Sequence, residues 1–247
     1  MISLPFAATL AASVLTTSFI SGIFGMAGGM ILMGILLAFM PLPVAMALHG
    51  AAQVASNAWR AWIWHKHIRW HLVWRYVIGA TGALIVFAFG LVTPAKSTAL
   101  ILLGVITFVG LWLPRRFAPD IQTRGQAACA GMLCTLLQFI CGISGPIFDV
   151  FFVRSDLDRK SMIATKAAIQ TIGHFFKFAY FSAVLIASST HVPPTAALLA
   201  IALAPIGTQL SARALDLMTD AQFRLWSRRL IGALAAFYLV QGIALRL

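Results

Sequence analysis

The chain has 247 residues, 61% of them hydrophobic and 10% charged, with a mean hydropathy of +0.93. A soluble domain carries roughly 25% charged residues, so the composition excludes a water-soluble enzyme or binding module and makes lipid the solvent. Eighteen Lys and Arg against six Asp give a formal charge of +12, which in a membrane chain marks cytoplasmic connections rather than a nucleic-acid partner.

In chain order, breaks at Pro, Gly and charged clusters divide the first half into apolar segments of about 4–23, 27–40, 43–64, 72–93 and 96–113. The first segment resembles a signal peptide in its apolar run but has no basic flank, because the first Lys or Arg is Arg60. It is expected to be retained. At its end stands Phe19-Ile20-Ser21-Gly22-Ile23-Phe24-Gly25, which recurs 120 residues later as Phe139-Ile140-Cys141-Gly142-Ile143-Ser144-Gly145. The recurrence predicts a duplicated chain, with one repeat over 1–118 and a second over 119–247. The second half divides at about 124–142, 145–153, 160–187, 194–214 and 226–246. Five segments per half is an odd number, so the second repeat is expected to be inverted.

Basic residues collect at 60–75, 115–124, 154–160 and 213–229, while the alternate connections at 41–43, 94–96 and 188–194 carry a single Lys between them. The basic connections should be cytoplasmic, with both chain ends on the opposite side. Segment 145–153 is nine residues, about 14 Å as a helix against roughly 30 Å of hydrocarbon, and cannot span alone. The expected fold is all-α: a polytopic membrane protein of two inverted repeats. Each repeat is a Gly-broken helical hairpin plus three spanning helices, about eight to ten helical segments in all. Gly22, Gly25, Gly28 and Gly29 form one hairpin tip, and Gly142, Gly145 and Pro146 the other. Lone glycines would suggest only close helix packing, but repetition with neighbours intact marks a site. A helix starting at such a tip would present its anion-binding end.

The third segment of each half carries a polar stripe, His49, Gln53, Asn57 and Arg60 in the first and Lys166, Gln170, His174 and Lys177 in the second. Both sets step by 4, 4 and 3, so each lies on one helical face, and Ala47/Ala164, Ala51/Ala168 and Gln53/Gln170 keep the same offset of 117. A basic residue within a span faces a cavity or a partner by default. Lys166, read as deeper than Lys177, is expected to dominate anion binding opposite His49. The competing reading pairs Lys166 with Asp149, lets Arg60 and Lys177 snorkel to an interface, and leaves His49 and His174 as interhelical hydrogen-bonders. Asp149 is the only acid in an apolar run, and it is the candidate for coupling transport to a proton gradient.

These residues resemble the TauE/SafE sulfite-exporter-like permeases. The resemblance rests on Gly22-Ile23-Phe24-Gly25-Met26-Ala27-Gly28-Gly29 followed by an apolar run and Pro41, on the Ala/Ser/Asn-rich helix from Pro43, and on His67-Ile68-Arg69-Trp70 before the next helix. The second copy is similar from Phe139, departing at Pro146. The resemblance implies transport of a small sulfur-containing anion such as sulfite, thiosulfate or an organosulfonate. The expected substrate site comprises Gly25, Gly28, Gly29, His49, Gln53, Asn57, Gly142, Ser144, Gly145, Lys166, Gln170 and His174, with Asp149 in coupling. That set is mostly hydrogen-bond donors.

No catalytic set, metal site or cofactor is expected. Cys129, Cys134 and Cys141 lack CxxC spacing and read as helix thiols. Trp59, Trp62, Trp64, Trp70 and Trp74 with His65, His67 and His71 read as an interfacial aromatic belt. A passive uniporter or channel would use the same donors without proton coupling. An intramembrane enzyme would need paired acids, and a structural subunit would not need paired polar stripes. The expected partners are a small anion and the lipid bilayer of a bacterial inner membrane, with no nucleic acid; proton coupling and a homodimer stay open.

Overall fold

A computed structural model describes residues 3–90, 95–216 and 219–246. Its helices, in chain order, are α1 (Leu4–Phe24), α2 (Met26–Phe39), α3 (Leu42–Ile63), α4 (Trp70–Gly90), α5 (Lys96–Trp112), α6 (Gln126–Cys141), α7 (Gly145–Val150), α8 (Arg159–Ala187), α9 (Pro194–Asp216) and α10 (Asp220–Ala244). The described residues contain no strand, so the chain is all-α. Each apolar segment read from the sequence is one helix. The last part of the expected fourth segment, 91–93, and Pro94 lie outside the described residues, as do 217–218 in the fourth basic connection.

Local chemistry sets the boundaries. Pro41 precedes α3, Asp158 caps α8 by accepting from the Ser161 N–H at 3.0 Å, and α10 begins six residues earlier than expected. The cause is a capping box: Thr219 Oγ1 accepts from the Gln222 N–H, and the Gln222 side chain accepts from the Thr219 N–H. That motif extends the helix through Asp220, which composition alone assigns to a polar connection.

Among the described residues, α1, α4, α8 and α9 are long and apolar enough to cross a bilayer by themselves. Helix α1, expected only as a hairpin arm, has 21 residues, whereas its counterpart α6 has 16 and α7 has six. Helices α3 and α10 have the length, with 22 and 25 residues, but α3 carries a polar stripe and α10 a basic amino-terminal stretch.

Helices meet through small residues that let backbones approach, the usual device where lipid removes the hydrophobic drive. Gly22 of α1 faces Ser211 of α9, and Gly207 of α9 faces Leu15 and Ser18. Gly79 of α4 meets Ala128 of α6, while Gly131 of α6 meets Tyr76. Gly104 of α5 lies on Leu239 and Ala235 of α10, and Gly242 of α10 returns the contact on Ile101. Helix α3 packs along α8. Adding five to each label exchanges α1·α9 with α6·α4 and returns α3·α8 and α5·α10 to themselves, so these pairings recur in both halves, although α2 packs on α1 and α3 far more extensively than the short α7 does on α6 and α8.

Three of the four basic connections interlock on one face. The Arg69 N–H donates to Thr165 Oγ1, Arg69 lies 3.8 Å from Asp158, Arg115 donates to the Val153 carbonyl, and Arg154 to the Ala118 carbonyl. Arg246, near the end of the chain, instead donates to Thr98 at the start of α5.

Candidate substrate site at the paired glycine tips

Each tip is built on a glycine that must take positive φ. Gly25, at φ 68 and ψ −108, turns the chain from α1 into α2, and Gly142, at φ 82, ends α6. The first hairpin closes tightly because a Cβ on Gly28 would stand 1.9 Å from the Thr17 carbonyl oxygen and 2.4 Å from the Ser21 nitrogen. Ser21 Oγ donates to the Gly25 carbonyl at 2.5 Å, tying the turn. The two tips touch: a Cβ on Gly145 would lie 2.6 Å from Met26 Cβ.

Helices α3 and α8 run antiparallel beneath the tips, with Gly50 against Phe178 at one end and Arg69 joined to Thr165 at the other. Their polar stripes therefore face each other across a small cavity of about 20 Å³, room for one or two waters. His49, Gln53 and Asn57 line it from α3, and Gln170 and His174 from α8. Ser21, Gly25, Met26 and Gly29 close one side, and Gln138, Ile143, Ser144 and Gly145 the other. Two buried atoms of this wall, Gln138 Oε1 and His174 Nδ1, have no hydrogen-bond partner among the described residues.

A hydrogen-bonded chain crosses between the halves at the His49 end. Lys177 Nζ donates to His49 Nδ1 at 2.6 Å and to the Gly142 carbonyl at 2.8 Å, and His49 Nε2 lies 2.9 Å from the Gly29 carbonyl. A lysine donating into Nδ1 requires that nitrogen bare, so the proton sits on Nε2 and donates to Gly29. Lys177 is 0% exposed and has no carboxylate partner among the described residues. The His49 and His174 rings stand edge-on with centroids 5.5 Å apart.

The geometry reverses the expected depths of the two lysines. Lys166 forms an ion pair with Asp149, their side chains 23% and 38% exposed, and it is absent from the cavity lining. Helix α8 starts at Arg159 and runs to Ala187, so Lys166 sits two turns from its start and Lys177 nearly three from its end. Arg60, which snorkelling would send to the interface, instead donates to the Ser21 carbonyl at 3.0 Å. Gly28 serves the hairpin from behind, and Gly142 contributes its carbonyl to Lys177. Of the expected residues, Gly25, Gly29, His49, Gln53, Asn57, Ser144, Gly145, Gln170 and His174 line one cavity. Ser21, Met26, Gln138, Ile143 and the role of Lys177 lie outside the sequence expectation. The signal for Lys177 is present in the stripe, as the fourth member of its 4, 4, 3 series.

A family model described as the sulfite exporter TauE/SafE matches residues 10–239. The chain belongs to the TauE/SafE sulfite exporter family. It is a multi-pass membrane protein of a transporter family, and its medium and its general substrate class follow from that membership. No curated protein and no solved structure matches the chain in the corresponding searches.

Proposed function

We propose that the chain is a secondary permease for a small sulfur-containing anion such as sulfite, thiosulfate or an organosulfonate. It works by alternating access between inverted repeats 1–118 and 119–247 in a bacterial inner membrane. The observation that carries this reading is Lys177, a buried basic side chain whose partners among the described residues are neutral and join it to both glycine tips. Placing a basic group within a span costs a few kcal/mol. A site that retains one without a carboxylate is matched to an anion that supplies the missing charge.

Lys177 adjoins the cavity through His49, and beyond it Gln53, Asn57, Gln170, His174 and Ser144 offer donors that can converge on oxyanion oxygens, while Gly25, Gly29 and Gly145 leave room for close approach of the tip backbone. The small volume favours a carrier over an open channel, because a sulfur oxyanion enters only after the tips separate. Asp149, one turn along α7 from Gly145 and paired with Lys166, exchanges a proton in this reading as the tips move. No catalytic residue, metal or cofactor enters this mechanism.

Flux in proteoliposomes tests the proposal. Sulfite, thiosulfate or sulfoacetate should drive counterflow and raise the thermal midpoint of the purified protein, with chloride doing neither. Equal response to all anions, or to none, overturns it.

A further inference from the structure

The cation that closes the His49 end of the cavity has a counterpart at the other end. Arg60 and Lys177 are the fourth members of the two polar stripes, separated by the same offset of 117 that relates Gln53 to Gln170. Each reaches its own half's glycine tip by one kind of contact. Arg60 donates to the carbonyl of Ser21, in the last turn of α1, and Lys177 to the carbonyl of Gly142, the residue that ends α6. In the repeated heptapeptide Ser21 and Gly142 occupy neighbouring positions. Both carbonyls belong to helix ends, where the last C=O groups lack intrahelical partners and the dipole favours a cation.

Because α3 and α8 are antiparallel, these two contacts flank the cavity. Along α3 the order is His49, Gln53, Asn57, Arg60, and His49 is where Lys177 docks. From His49 to Arg60 the helix rises about 16 Å, so one cation stands at each end with the lining amides between them. Arg60 lies toward the interlocked basic connections, since α3 leads into the segment where Arg69 binds Thr165. Lys177 lies toward the opposite face. Neither has a carboxylate partner among the described residues, and neither belongs to the cavity wall itself.

We infer that Arg60 and Lys177 are a matched pair of gating cations, one for each side of the membrane. Each holds its tip shut by binding a backbone carbonyl and releases it when an anion arriving from that side takes the carbonyl's place. The inference rests on the transport reading above. The exchange is balanced, since each cation trades a carbonyl oxygen for an anion oxygen and no proton moves. The pair is unequal in this conformation: Lys177 also reaches the first tip through His49 and Gly29, whereas among the described residues the Arg60 side chain holds Ser21 alone. The Lys177 side is the more firmly closed.

The test reads access without any substrate. Ser144 lines the cavity, and Ser144→Cys changes its volume little; Cys129→Ser removes the exposed native thiol, leaving Cys134 and Cys141 buried. The parent chain with Cys129→Ser alone supplies the labelling background. A charged, membrane-impermeant thiol reagent is applied to sealed vesicles of either orientation. Arg60→Gln should speed labelling of the thiol introduced by Ser144→Cys about tenfold or more from the basic-connection face alone, and Lys177→Gln from the opposite face alone, the scale expected for losing a charged hydrogen bond. Arg60→Lys and Lys177→Arg, which keep the charge, should stay near the parent rate and show that each position tolerates replacement. Acceleration from the same face in both variants, or in neither, overturns the gate assignment. If the unsubstituted chain carries sulfite in that case, the permease reading survives; if the labelling asymmetry appears but the unsubstituted chain carries no anion, the gates stand and the substrate reading falls.

Discussion

Lys177 Nζ and His49 Nδ1 stand 2.6 Å apart, although 128 residues separate them in the chain. With His49 Nε2 on the Gly29 carbonyl and Lys177 on the Gly142 carbonyl, this one side-chain contact links the two tips into a continuous hydrogen-bonded path. Substitutions along it should be felt at both tips.

Lys177→Ala is expected to weaken sulfite binding by about ten- to a hundredfold, the range for a hydrogen-bonded charged group. Lys166→Ala should cost no more than a few-fold, because its partly exposed pair with Asp149 is worth about 1 kcal/mol or less. Isothermal calorimetry in detergent gives both values. Equal losses would break the ordering derived from burial.

Gly28→Ala should lower the thermal midpoint markedly, since its Cβ would collide with backbone atoms of Thr17 and Ser21 that cannot move without opening the hairpin. Overpacking of this kind costs about 1–3 kcal/mol. Gly82→Ala is the matched control, its nearest neighbour being the flexible tip of Met132 at 3.0 Å. A similar drop in both variants would show that the hairpin contact is not special.

Asp149→Asn should preserve counterflow while removing its dependence on a proton gradient, with Lys166 left without its carboxylate partner. Flux in proteoliposomes under an imposed pH step measures this. Unchanged pH dependence would remove Asp149 from the coupling step.

At the start of α8, hydrogen bonds from the Ser161 hydroxyl and N–H, with the Lys160 N–H and Arg69 assisting, hold the Asp158 carboxyl below the usual carboxylate range. Its folded-state value is depressed, so the contribution is present above the unfolded value of about 3.9 and is lost as pH falls through the folded one. Amide exchange at Ser161, taken relative to the intrinsic rate at each pH, should accelerate below about pH 4 in the wild type. In Asp158→Ala it should be fast throughout. A wild-type rate that ignores acidification would exclude the carboxylate cap.

Most of the helix order was legible because Pro, Gly and charge punctuate this apolar chain sharply, as at Met40-Pro41 and Gly25. The facing stripes of α3 and α8 were legible for a related reason, a repeated spacing on two helices. The partners of Lys166 and Lys177 were not. The expected bounds of 160–187 already put Lys177 farther from a helix end than Lys166, but only the fold chooses the reading in which Lys166 meets Asp149 and leaves Lys177 with no carboxylate among the described residues. Gln138 escapes a pattern search because it belongs to neither polar stripe and lies just before the repeated heptapeptide, and only the fold brings it beside Gly173 and the cavity.

The antiparallel seating of α8 on α3 imposes a condition on the chain's evolution as well as on its mechanism. Gln170, His174 and Lys177 point the same way only while helical phase is kept, and each residue advances that phase by about 100°. A single deletion between Gln170 and Lys177 would turn the lysine from the Gly142 carbonyl toward a neighbouring helix or lipid, even if every side chain were retained. This stretch can therefore vary in composition to suit different anions far more readily than it can vary in length.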